Sequence, residues 1–103
     1  MLARHEFSWE KHHVRILLWE AQEGGCLCCG KQMVGRYAQP RSGDRDTIDH
    51  VVPLGAYGRD KLGNLALMTH LCNQRKGSRW PNPGELLRLH QINIKLGWPD
   101  PDP

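Results

Sequence analysis

A carboxylate and an imidazole stand side by side at Asp49 and His50. An amide follows at Asn64, and a second amide, Asn73, comes directly after Cys72 with Lys76 three residues beyond. An imidazole with an ordinary pKa of ~6.5 can accept a proton from water at neutral pH. A carboxylate and an amide oxygen are charged and neutral ligands for a hard divalent cation, and two such ligands leave most coordination positions to water and phosphate. These types suit metal-assisted hydrolysis of a phosphate ester. Each residue alone has a plainer reading: a satisfied strand histidine, a solvated aspartate, a turn asparagine at 64 and a helix cap at 73. Their joint occurrence favours the chemistry.

The second constellation is Cys26, Cys28, Cys29 and Cys72. Disulfides would require an oxidising compartment, and three cysteines within four residues could staple only one short loop to the rest. Cys26 and Cys29 instead form a C-x-x-C turn followed by Gly30, which can aim two thiolates at one zinc ion, with Cys72 as a third ligand from far along the chain. Thr69 stands where a second C-x-x-C would place the fourth cysteine, so His70 is the nearest competent donor; His5, His12 and His13 are alternatives. Cys28 reads as a small buried hydrophobe. A core of this size contributes only ~3–5 kcal/mol, so the ion would carry much of the stability.

The elements that must position these groups follow from periodicity. Ser8 reads as the cap of a helix with apolar positions Val14, Leu17, Leu18 and Ala21, ended by Gly24 and Gly25. A turn-rich segment reaches Asp46. Thr47 to Leu54 reads as a strand closed by Pro53, Gly55 to Gly63 as a loop, and Asn64 to Met68 as a returning strand. A short helix fits around Cys72 to Ser78. Asn82, Pro83 and Glu85 have the order of cap, first-turn proline and capping carboxylate, opening a last helix that buries Leu86, Leu89, Ile92 and Leu96 and stops at Gly97 and Pro99.

The ordered pieces D-H-x-x-P, G-N-L and C-N-x-x-K-G form a specific combination. With them the sequence resembles the HNH endonucleases over Cys26 to about Ser78, roughly half of the chain. The resemblance implies a small ββα-metal core, made of a β-hairpin and a short helix; with the structural zinc knuckle and the flanking N- and C-terminal helices read from the residues, the expected fold class is α+β. It places His50, Asn64 and Asn73 at the three positions that name the family. His50 is then the general base, Asp49 and Asn73 are ligands of magnesium or manganese, and Asn64 bonds across the hairpin loop to orient the His50 segment. Neighbouring strand residues point to opposite faces. Either the strand is bulged at Asp49 and His50, or the phosphate lies across its edge with metal and water on different sides, as in-line attack favours.

The implied activity is metal-dependent hydrolysis of DNA by a monomer, a dimer remaining open, that nicks one strand to leave a 5′ phosphate and a 3′ hydroxyl. Its rivals are a non-catalytic zinc module that binds nucleic acid and an accessory nuclease subunit of a phage or mobile-element complex. Arg75, Lys76 and Arg79 lie beside Asn73 as candidate phosphate contacts, against the alternative of a solvated helix face. The four tryptophans are scattered and read as packing anchors.

The remaining bounds are mild. The 103 residues fit one domain, read as 1–99 with its core at 26–78 and a flexible, solvated tail at 100–103. A net charge of +3 permits a nucleic-acid partner without requiring one. No apolar run approaches the ~20 residues of a membrane span, and no signal-peptide stretch is visible, so a cytoplasmic location is expected.

Overall fold

The computed structural model describes residues 2–100, with side chains from residue 12 onward. The order is α1 (Leu2–Gln22), β1 (Asp46–His50), β2 (Leu65–Thr69), α2 (His70–Lys76) and α3 (Pro83–Leu96), with 3-10 turns at Leu54–Ala56 and Leu62–Asn64. No helix among the described residues is long and apolar enough to cross a membrane.

α1 begins before Ser8, which therefore lies inside the helix rather than capping it. Val14, Leu18 and Ala21 are buried as their spacing predicts, whereas Leu17 is exposed. Arg15 is buried instead. Its guanidinium reaches across to β1, with Nη1 2.6 Å from Asp46 Oδ2. The other carboxylate oxygen of Asp46 accepts the backbone N–H of Arg36. One buried pair thus joins α1, the start of β1 and the turn-rich segment before it.

The strands pair antiparallel in unbroken register, from Asp46 opposite Thr69 to His50 opposite Leu65. A two-stranded ribbon is marginal by itself, and here every residue of β2 is buried. The outer edge of β2 is satisfied by side chain and knuckle: the Gln22 amide bonds Leu67 N and O at 2.8 Å, and Leu27 N donates to the same carbonyl at 3.1 Å.

β1 ends at His50, short of the Leu54 that its composition suggests. Asn64 takes over from the ladder there. Its Oδ1 accepts Val52 N and its Nδ2 donates to Val52 O, both at 2.9 Å, and Pro53 has no N–H to continue the pairing.

α2 starts at His70, capped by Thr69, whose Oγ1 accepts Cys72 N at 3.1 Å. It stops at Gly77 with φ +50°, a conformation that suits a residue without a Cβ. α3 carries the capping box of Asn82 and Glu85. It buries Glu85, Leu89, Ile92 and Asn93, while Leu86 is exposed and Leu96 only half-buried. Trp19 and Trp98 pack on the core; Trp80 does not, being 57 % exposed. The tail departs from expectation at Asp100, whose carboxylate accepts from Asn93 Nδ2 and bonds His90 Nδ1. Residues 101–103 and the side chain of Trp9 lie outside the described residues.

Two outcomes follow. Removing one partner of a buried ion pair costs about 3–5 kcal/mol, so Asp46→Ala should lower the urea midpoint steeply; an unchanged midpoint would refute the role given to the pair. Arg79 beside Glu85 holds that carboxyl down, from 4.5 to about 2. A depressed carboxylate contributes stability above its unfolded pKa and loses it as pH falls through its folded pKa. The midpoint should therefore drop between pH 4.5 and 2, and Glu85→Gln should remove that part of the decline.

Candidate active site

Because β1 is regular, Thr47 and Asp49 share one face, and Asp46, Ile48 and His50 the other. α2 lies against the Thr47 face and presents Asn73 and Lys76, three residues and so nearly one turn apart. Asn73 Nδ2 donates to Thr47 Oγ1 at 3.1 Å, and Thr47 Oγ1 in turn donates to Met68 O at 2.8 Å. The carbonyl can only accept, so the hydroxyl proton is committed to it and Thr47 can only accept from Asn73. That fixes which end of the amide is NH2. The oxygen, the end able to bind a cation, takes no part in that bond.

One turn on, Lys76 is fully buried. Its Nζ donates to His50 O at 3.2 Å and lies 3.9 Å from Asp49 Oδ2. The residue expected to touch phosphate is instead an internal tie, holding the backbone of His50 and the carboxylate of Asp49 together. Arg79 also departs from expectation. Its guanidinium forks onto Glu85 at 2.9 and 2.8 Å, and the pairing raises its own pKa. Arg75 remains exposed on α2.

The His50 ring is mostly covered and sits at the end of β1, with Nε2 2.9 Å from Asp60 Oδ1. Asn64 is fully buried and uses its whole amide: besides Val52, Nδ2 donates to Arg59 O at 2.8 Å. It therefore clamps both limbs of the loop leaving His50. No bulge interrupts Asp49 and His50, so their side chains leave β1 on opposite faces.

Cys26, Cys29 and Cys72 form the second centre, their sulfurs all within 4.8 Å of one another. Zn–S bonds of ~2.3 Å in a tetrahedron place sulfurs ~3.8 Å apart, so the donor set fits zinc. Among the described residues, no fourth histidine, cysteine or carboxylate joins the group. His70, the expected fourth ligand, is two residues from Cys72 in α2, and two residues turn a helix by about 200°; the two side chains leave on different sides. Thr69 lies nearer, with its N–H 3.4 Å from Cys26 Sγ. The Cys26 thiol is held down at about 4, chiefly by the Cys28 thiol beside it. The same contact, with burial, pushes Cys28 up. Burial raises Cys72.

The family model described as HNH endonuclease matches residues 26–79, which hold the knuckle, the hairpin and α2. The chain belongs to the HNH endonuclease family. It is also 33 % identical over 67 residues to the CRISPR-associated endonuclease Cas9 1 of Streptococcus thermophilus (strain ATCC BAA-491 / LMD-9). That match covers 65 % of this chain and 6 % of the relative, so this HNH chain spans a small part of the relative's length.

Two partners of the HNH side chains lie outside the motifs that signal the family. Thr47 sits two residues before Asp49, a spacing that puts both on one strand face. Asp60 is a lone loop carboxylate with no spacing signal. Thr47→Val keeps the shape and loses both hydroxyl bonds, so a cost of about 1–3 kcal/mol is expected by urea denaturation, with Thr47→Ser near the parent. Equal midpoints for Val and parent would show that the relay does not hold Asn73.

Proposed function

We propose that the chain is a divalent-cation-dependent DNA endonuclease that nicks one strand of a duplex as a monomer, leaving a 5′ phosphate and a 3′ hydroxyl. The observation that carries this reading is the fixed orientation of Asn73 on the β1 face that also bears Asp49. Asp49 and the Asn73 oxygen would hold magnesium or manganese, which supplies charge neutralisation at the phosphate and support for the departing 3′ oxygen. His50, leaving the strand on its other face, takes the proton of the attacking water. Asp60 holds its Nε2 and Asn64 fixes the loop behind it. That separation of base and ligands suits in-line displacement, in which nucleophile and leaving group stand on opposite sides of phosphorus.

Zinc at Cys26, Cys29 and Cys72 serves the fold in this reading. Asn73 follows a zinc ligand directly, so the knuckle sets the register of α2 on β1 through the backbone. Arg75 is the exposed α2 cation available to a flanking phosphate.

The length difference from the Cas9 1 relative favours a second reading, in which this module works as part of a larger assembly. A purified chain that is inert alone and nicks when a partner is added would support it.

Supercoiled plasmid with magnesium or manganese should be converted to open circles, and His50→Ala should slow this by roughly 100-fold or more. Unchanged nicking by that variant would remove His50 from the role of base. Zinc chelation should abolish the folded circular-dichroism spectrum, whereas withdrawing magnesium should abolish nicking and leave the spectrum intact. A folded spectrum without zinc would defeat the scaffold role.

A further inference from the structure

The loop between β1 and β2 carries a feature that the hydrolytic site does not use. Tyr57 has φ +70°, a left-handed conformation that is strained for a bulky residue, and is 92 % exposed. Its ring therefore contributes nothing to the core. Leu54, at the start of the same 3-10 turn, is 51 % exposed. Arg59 and Lys61 follow, both exposed, on either side of the Asp60 that bonds His50.

The tip is nevertheless held firmly. Ala56 N and Gly58 N both donate to Pro53 O at 2.9 Å. A Cβ on Gly58 would lie 1.9 Å from Val52 O, so only glycine lets the turn close this tightly. Asn64 secures the other limb through Arg59 O. The result is a stiff arm tied to His50, offering an aromatic face followed by two exposed cations.

We propose that the 54–61 loop is a DNA-contacting arm in which the Tyr57 ring stacks on an unstacked base of the strand held at His50, while Arg59 and Lys61 meet its phosphates. The placement of that strand rests on the nuclease reading above. An anionic strand matches the two cations, and any base offers a π face to a tyrosine. In an intact duplex both faces of each base are covered by neighbours. The arm therefore selects DNA with a base out of the stack, such as a bulge, gap or single strand, over fully paired duplex.

The test measures equilibrium binding of the full chain, without magnesium or manganese, to a duplex bearing one unpaired 2-aminopurine and to its fully paired counterpart. The parent should prefer the bulged duplex by about tenfold and alter the 2-aminopurine fluorescence. Tyr57→Ala should lose both effects and Tyr57→Phe should keep both. Tyr57→Gly, which relieves the backbone strain, should lose them while folding at least as stably as the parent, separating contact from stability. A parent without preference, or Tyr57→Ala binding the bulge like the parent, would overturn the proposal. A parent that nicks plasmid while Tyr57→Ala binds unchanged would overturn it alone. A Tyr57-dependent preference in a protein that never nicks would uphold the arm and sink the nuclease reading.

Discussion

Two side chains of one short helix bind one short strand, and the site depends on that joint. Asn73 meets Thr47, and Lys76 meets the His50 carbonyl beside the Asp49 carboxylate. β1 is only five residues long and α2 only seven, so neither would hold its shape in water alone. Joined in this way, each fixes the other. The Thr47 hydroxyl proton goes to the Met68 carbonyl, so Thr47 accepts from the Asn73 NH2 and the amide oxygen of Asn73 is kept off that bond.

The surrounding parts keep the joint in place. Gln22 and the knuckle satisfy the outer edge of β2, Arg15 anchors the beginning of β1, and Asn64 anchors its end. The cysteine cluster brings the knuckle against α2 at the residue next to Asn73. Glu85, which opens α3, is held by Arg79 just beyond α2, so the last helix braces the exit of α2. Several of the most buried polar groups thus set the position of α2 and β1.

Much of this was legible in the sequence because local chemistry signals it. Asn82, Pro83 and Glu85 announce the start of α3, and C-x-x-C with Cys72 announces the sulfur cluster. The D-H, G-N-L and C-N-x-x-K-G pieces announce the hairpin and its helix. Long-range partners were not legible. Lys76 looks like a surface cation until the chain folds over it, and Arg79 looks free until Glu85 arrives from the next helix. Arg15 displaces Leu17 from the buried face of α1 because Asp46, 31 residues on, requires it. His70 has the right chemistry for zinc and the wrong helical phase. Tyr57 carries no motif; only its exposure and backbone conformation mark it.

The central claim is that Asp49 and Asn73 share one hard cation across the β1–α2 joint. Manganese binding followed by electron paramagnetic resonance tests it most directly, on the parent, Asp49→Ala, Asn73→Ala and the double variant. The account predicts one bound ion in the parent, severe weakening in each single variant, and little further loss in the double variant, because either ligand's removal dismantles the same site. Single variants that bind manganese like the parent, or losses that simply add, would contradict it.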